Sequence, residues 1–122
     1  MNLDKKSIEV ILRACDNKKA YNFVVLDVSN ISSITDCFII CSGNNERQTV
    51  AIAEEVIKKS HEEGINIYHK EGLDTGRWIL LEFDNIIVHI FQRDEREIYD
   101  LESLWFDNNS LEVEEFGIKN WK

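Results

Sequence analysis

Three sets of side chains give this chain its chemical options. Ser42-Gly43 follows an apolar run and precedes a helical pattern, where a strand-to-helix turn can present backbone N–H groups to a phosphate, as in nucleotidyl-transfer folds. The same dipeptide serves equally as a tight turn ahead of a helix cap. Metal-dependent transfer also needs paired carboxylates alternating on a strand close to that turn. The alternating pair here, Glu82-x-Asp84, lies about forty residues downstream at a hairpin tip. His61, His69 and His89 are not spaced as a metal-ligand set. No strained nucleophile elbow supports a Ser/His/acid triad. Cys15, Cys37 and Cys41 are odd in number and contain no C-x-x-C pair, so they suggest neither a disulfide framework nor a zinc knuckle. Cys37 and Cys41 share a strand face about 13 Å apart, too far for a bond, and read as reduced core residues. No catalytic residue, cofactor or metal is assigned, and the chain reads as a non-enzyme.

The elements that would position these groups follow from periodicity. Residues 4–19 repeat Ile8, Ile11, Leu12 and Cys15 at helical spacing, with Lys18-Lys19 where a helix C-terminus favours cations. A β-branched-rich strand covers residues 23–28, and residues 29–33 have the Ser/Asn content of a connection. A second strand at 37–42 is nearly all apolar, as expected at the centre of a sheet. Gly43 allows a sharp exit. Asn45 with Gln48 three residues later forms an N-cap box opening a helix through Val50, Ala53, Val56 and Ile57, which Gly64 ends. Residues 65–70 alternate as a third strand, and residues 71–76 form a loop with two glycines. A hairpin occupies residues 77–91. Asp94 with Glu97 repeats the capping signal, opening a helix of about three turns with the stripe Ile98, Leu101, Leu104 and Trp105. The remaining acidic segment either docks on the domain or moves freely. The order α-β-β-α-β-β-β-α predicts a single α/β domain, a five-stranded mixed sheet with three helices, with one parallel crossover through the second helix.

Bulk properties narrow the partners. A chain of 122 residues, 43% hydrophobic and 30% charged, fits one domain with a real core. No apolar run approaches the roughly 20 residues needed to span a bilayer. The first residues lack the apolar stretch of a signal peptide and the Arg/Ser-rich look of a transit peptide, so the cytoplasm is expected. A net charge of −9 with scattered Lys and Arg disfavours phosphate backbones, and little direct nucleic-acid binding is expected. A basic protein partner fits better.

The hairpin is the most informative element. If Asp84 and Asn85 form the turn, Phe83 lies opposite Ile86, Leu81 opposite Val88 and Ile79 opposite Ile90, an apolar core face. The other face pairs Trp78 with Phe91, Leu80 with His89 and Glu82 with Ile87. It is either the underside of another helix layer or a surface kept apolar for a partner. His89, diagonal to Glu82, is positioned to pair with that acid.

Several of these segments together carry a resemblance: residues 32–43 (Ser-Ser-Ile-Thr-Asp-Cys-Phe-Ile-Ile-Cys-Ser-Gly), Arg47-Gln48, residues 51–53 (Ala-Ile-Ala), Glu71-Gly72, Trp78-Ile79-Leu80-Leu81, residues 88–91 (Val-His-Ile-Phe), Arg96, and Tyr99-Asp100-Leu101-Glu102 with Leu104-Trp105. Over residues 8–105 the chain resembles the ribosomal silencing factor (RsfS, Iojap) family. The resemblance implies a domain at 1–106, followed by an acidic tail at 107–122. It further implies a small α/β domain similar in fold to nucleotidyltransferases yet not known to act as one. It implies binding to the large ribosomal subunit through large-subunit ribosomal protein fourteen, blocked joining of the small subunit, and lowered translation when nutrients are short. Carried over position by position, the contact falls on Trp78, Leu80, Glu82 and Phe83, with His89 and Tyr99. Asp36 either ties down its loop or touches the partner. The family usually has Gly-Asp at the turn where this chain has Asp84-Asn85, which puts only the turn type in question. Two rival expectations are a nucleotide-binding transferase and a scaffold that forms a homodimer through the same face.

Overall fold

The structure, a computed structural model, describes residues 4–29, 33, 35–99 and 110–118, without the side chains of Tyr99 and Ser110. Helix α1 (Lys5–Asn17) starts where Asp4 accepts hydrogen bonds from the Ser7 amide (3.1 Å) and hydroxyl (2.7 Å). Its stripe of Ile8, Ile11, Leu12 and Cys15 is fully buried. The helix stops two residues earlier than charge placement suggests, because Lys19 turns left-handed (φ 65°) and the Ala20 amide closes on the Cys15 carbonyl. Lys18 and Lys19 therefore lie just past the helix end.

Strand β1 (Tyr21–Asp27) pairs antiparallel with β2 (Cys37–Gly43), which is buried on both faces. Helix α2 (Glu46–Glu62) opens on the expected pair, with the Gln48 amide donating to Asn45 Oδ1 at 2.9 Å. Gln48 Oε1 accepts from the Asn44 amide rather than from Asn45, and its Nε2 donates to the Lys18 and Lys19 carbonyls at 3.1 and 3.0 Å. One side chain thus caps α2 and anchors the α1–β1 turn. Strand β3 (Ile67–Glu71) forms a sheet edge with β4 (Trp78–Phe83), and β4 forms the hairpin with β5 (Ile86–Gln92).

Helix α3 (Arg93–Tyr99) begins one residue before the expected Asp94 cap, because the Gln92 side-chain carbonyl accepts from the Asp94 and Glu95 amides at 2.9 and 3.3 Å. The rest of the expected three-turn helix, with Leu101, Leu104 and Trp105, lies outside the described residues. Farther on, β6 (Ser110–Leu111) adds to β1, and a 3-10 turn (Val113–Phe116) buries Val113, Phe116 and Ile118. That part of the acidic segment is docked. Its two-residue strand joins the five expected ones.

The sheet runs β3-β4-β5-β2-β1-β6. Its parallel pair is β2 with β5; β2 and β3 run in the same direction, as their helical crossover requires, but β4 and β5 lie between them. Helices α1 and α2 pack over one face, joining Ile39, Cys41, Ile79, Leu81, Val88 and Ile90 in the main core. On the other face Leu26, Val28, Ile40 and Phe91 form a smaller cluster, flanked by the partly buried Val24, Phe38 and Trp78. Among the described residues no helix is long and apolar enough to cross a membrane.

Candidate functional site: the aromatic face of the hairpin

Strand register assembles the site. Trp78 faces Phe91, Leu80 faces His89 and Glu82 faces Ile87, the pairing read from the sequence. Ile79–Ile90 and Leu81–Val88 likewise pair as expected on the helix-covered face. Neither Asp84 nor Asn85 has a positive φ, so the connection is not the left-handed hairpin turn that short loops favour. It is held from outside, the Asn85 carbonyl accepting from the Asp36 amide at 3.2 Å. The Asp36 carbonyl in turn accepts from the Val28 amide at 2.9 Å, so the backbone of Asp36 ties the end of β1 to the hairpin tip.

Beyond β5 the parallel neighbour β2 extends each row. Leu80 and His89 continue to Ile40, Trp78 and Phe91 to Ser42, and Glu82 and Ile87 to Phe38. On the outer side β3 places Glu71 beside Leu80 and His69 beside Glu82. The result is an apolar and aromatic surface with acids toward its β3 margin. Its β4 end is partly open: Trp78, Leu80, Glu82, Ile87 and Phe38 are all only partly buried.

Trp78 is held by Phe91 and His89. Its ring stacks on Phe91 (5.0 Å between centroids, 26°), and its Nε1 donates to His89 Nδ1 at 3.1 Å. Phe38 meets the same imidazole edge-on at 5.3 Å. Backbone sets the ring's origin, because Gly72 (φ +84°) approaches the Trp78 carbonyl so closely that a Cβ there would clash with it. Gly76 (φ +74°) likewise leaves no room for a Cβ against the Glu46 backbone, and Thr49 donates to its carbonyl. The 72–76 loop is thereby clamped between α2 and β4.

His89 is 6% exposed, and burial pushes its imidazole down to about 4. It is neutral near pH 7, with Nδ1 as acceptor and the proton on Nε2. The expected ion pair with Glu82 is therefore replaced by the bond from Trp78. Trp78, Leu80, Glu82 and His89 come together on one surface. Phe83 does not, being 3% exposed and packed in the helix-side core. Tyr99 ends α3, and its side chain lies outside the described residues.

Arg96 is the structural residue that sequence reasoning missed. It is 6% exposed and reaches from α3 to donate to the Asn22 carbonyl and to Ser42 Oγ (2.9 Å). Asn22 presents that carbonyl from a left-handed conformation (φ 57°). The guanidinium latches α3 across β1 and β2 at the end of the Trp78–Phe91–Ser42 row. Its partners lie 74 and 54 residues away in sequence, so no local motif announces it.

The groups weighed for catalysis are committed elsewhere. Ser42 is buried and bonded to Arg96, and a Cβ on Gly43 would sit 3.0 Å from the Thr49 methyl. The Asn44 and Gln48 amides are taken by side chains, and Glu46 places a negative charge in the first turn of α2. This is the turn-and-cap arrangement. The three thiols are buried. A hydrogen bond with Cys41, together with burial, pushes the Cys15 thiol up, and burial beside Asp27 and Asp36 pushes Cys37 up to about 12. His69 pairs with Glu71 at 2.5 Å on the exposed edge. Among the described residues no group of three His, Cys, Asp or Glu is arranged to hold a metal ion.

Comparison with known proteins places this geometry. Residues 2–121 match the family model described as "Ribosomal silencing factor during starvation". The chain is 41% identical over 111 residues to the ribosomal silencing factor RsfS of Halalkalibacterium halodurans, covering 91% of this chain and 95% of that protein. It is 29% identical over 116 residues to the mouse "mitochondrial assembly of ribosomal large subunit protein 1", covering 89% of this chain and 51% of the mouse protein. A crystal structure of a Bacillus halodurans protein superposes with a TM-score of 0.80 at 39% identity, covering 89% of this chain and 99% of that one. The match extends well into the docked acidic segment, and the chain belongs to the ribosomal silencing factor family.

Proposed function

We propose that this protein is a translational repressor that binds the large ribosomal subunit through large-subunit ribosomal protein fourteen. Bound there, its body occupies space the small subunit needs, and translation falls under nutrient limitation by steric exclusion alone. Two relatives support association with the ribosome: one is named a ribosomal silencing factor, the other for large-subunit assembly. The observation that carries the choice of surface is the partly open Trp78 face, apolar at its centre and acidic at its β3 margin. Aromatic anchors enclosed by weaker contacts are the usual hot spots of protein interfaces, and the acids suit a basic partner.

In this reading Trp78 is the anchor, Leu80 widens the apolar contact and Glu82 meets a Lys or Arg. His89 holds the anchor from behind, and Tyr99 is carried over from the family resemblance. Phe83 contributes by keeping the hairpin packed. The site needs no cofactor, and the protein acts in the cytoplasm as a non-enzyme. Trp78→Ala and Glu82→Lys test the surface in a pull-down with isolated large subunits. Both variants should bind more weakly, and unchanged association for both would remove the surface from the account. Sedimentation of the free protein reports whether a homodimer uses the same face, in which case a Trp78-dependent dimer competes with ribosome binding. A titration with nucleoside triphosphate and Mg²⁺ at millimolar concentration should show no binding at Ser42-Gly43.

A further inference from the structure

A histidine buried on an apolar sheet face calls for an explanation. His89 is flanked by Leu80 on β4, Ile40 on β2, and Ile87 and Phe91 on its own strand, with Phe38 against its ring. A leucine or phenylalanine would fill that space without burying polar nitrogens, which is unfavourable unless they are bonded. Among the described residues, His89 takes its bond from the Trp78 indole, a ring of this face that is itself partly open. Stacking on Phe91 does not by itself distinguish the two edges of the indole, because either edge of the ring stacks equally well. The N–H to Nδ1 bond selects one of these poses.

We propose that His89 is the positioning residue of the docking face: its unprotonated Nδ1 locks the Trp78 indole in a single pose before a partner arrives, and the pose is what the partner recognises. This rests on the docking reading above and adds the mechanism by which the anchor is preorganised. Preorganisation raises affinity by removing the ordering cost at binding. The lock requires a neutral ring. A proton on Nδ1 would point one donor at another, breaking the bond and leaving a cation among apolar side chains. Among the described residues the charged groups nearest this position are Glu82, diagonal on β4, Glu71 beyond Leu80 on β3, and Arg96, which is engaged with Ser42 on β2. None is paired with His89 to hold a charge on it. Burial keeps the imidazole neutral down to about pH 4, so the lock stays closed through the ordinary range.

The test uses the whole protein and NMR of its indole and imidazole nitrogens, with the Trp78 signal assigned from Trp78→Phe. The indole proton of Trp78 should exchange slowly with water and titrate together with the His89 ring, with a midpoint well below 6.5. His89→Phe keeps the packing and removes the acceptor, so the proton should exchange fast and affinity for isolated large subunits should fall roughly fivefold to tenfold, the scale of one hydrogen bond. His89→Gln retains an acceptor and should recover most of both. Three results would overturn the proposal: an indole proton unaffected in His89→Phe, separate titration of the two rings, or an unlocked indole with unchanged affinity. Failure of the wild-type protein to bind large subunits overturns the docking reading, and with it the purpose assigned to the pose. The spectra of the free protein distinguish that failure from loss of the lock itself.

Discussion

The two faces of one hairpin, built from alternate residues of the same two strands, have been put to different uses. Under the helices, Ile79, Leu81, Val88 and Ile90 are fully buried and carry no polar side-chain atom. On the opposite face Trp78, Leu80, Glu82 and His89 mix aromatic area with an acid and an imidazole, and three of the four remain partly open. The first face has only to fill space at crystal-like density. The second also has to hold polar groups in place, and the Trp78–His89 hydrogen bond does so for its two ring nitrogens. Alternation lets one ribbon support both roles, since a change on one face leaves the backbone register of the other intact.

That separation can be broken from either side. The largest effect should come from the filled face. Leu81→Ala should lower unfolding free energy by about 3 kcal/mol, measured by urea denaturation, through lost burial and the cavity left behind. Of similar size is the pH dependence written into His89. Its folded pKa lies near 4, below the ordinary 6.5, so between those values the unfolded chain takes up a proton that the folded chain refuses. Stability should therefore fall as pH drops from 6.5 to 4, by on the order of 3 kcal/mol, and level off below; His89→Gln should lack this component. Arg96→Met should cost about 2 kcal/mol by leaving the Asn22 carbonyl and Ser42 hydroxyl without the guanidinium, seen as a lower melting temperature. The smallest effect on stability, within about 0.5 kcal/mol, belongs to Glu82→Lys on the partly open face. Its signature should be a slower association with large subunits and a reversed salt dependence.

Much of this arrangement could be read from residue order. Period-two alternation and a short Asp84-Asn85 connection were enough to pair Trp78 with Phe91 and Leu80 with His89, because a one-residue slip would have exposed the whole aliphatic set. Local caps gave Asn45 and Gln48 for the same reason: their partners are three residues apart. Alternation also placed Phe83 on the core face, where it lies, although the family resemblance put it among contact residues. What stayed hidden depends on contacts distant in sequence. Arg96 looks like any helix-surface arginine until β1 and β2 are brought beside α3. Asp94 has the chemistry of a cap, yet Gln92 reaches the amides first from the end of the strand. The docking of residues 110–118 rests on Leu111 meeting Val25, and both uses of that segment were consistent with its composition. Whether the second face was covered depended on where the helices fall: α1 and α2 pack on the other side, while α3 lies at the Ser42 end of this one, which is buried at Ile40, His89 and Phe91 and partly open at Trp78, Leu80 and Glu82.

The Trp78 face is proposed to grip the large ribosomal subunit. Co-sedimentation of the wild-type protein and Trp78→Ala with isolated large subunits tests it most directly. The wild type should bind large subunits but not complete ribosomes, and Trp78→Ala should lose about 2 kcal/mol, or roughly thirtyfold in affinity. Equal sedimentation of a folded Trp78→Ala variant with large subunits would contradict it.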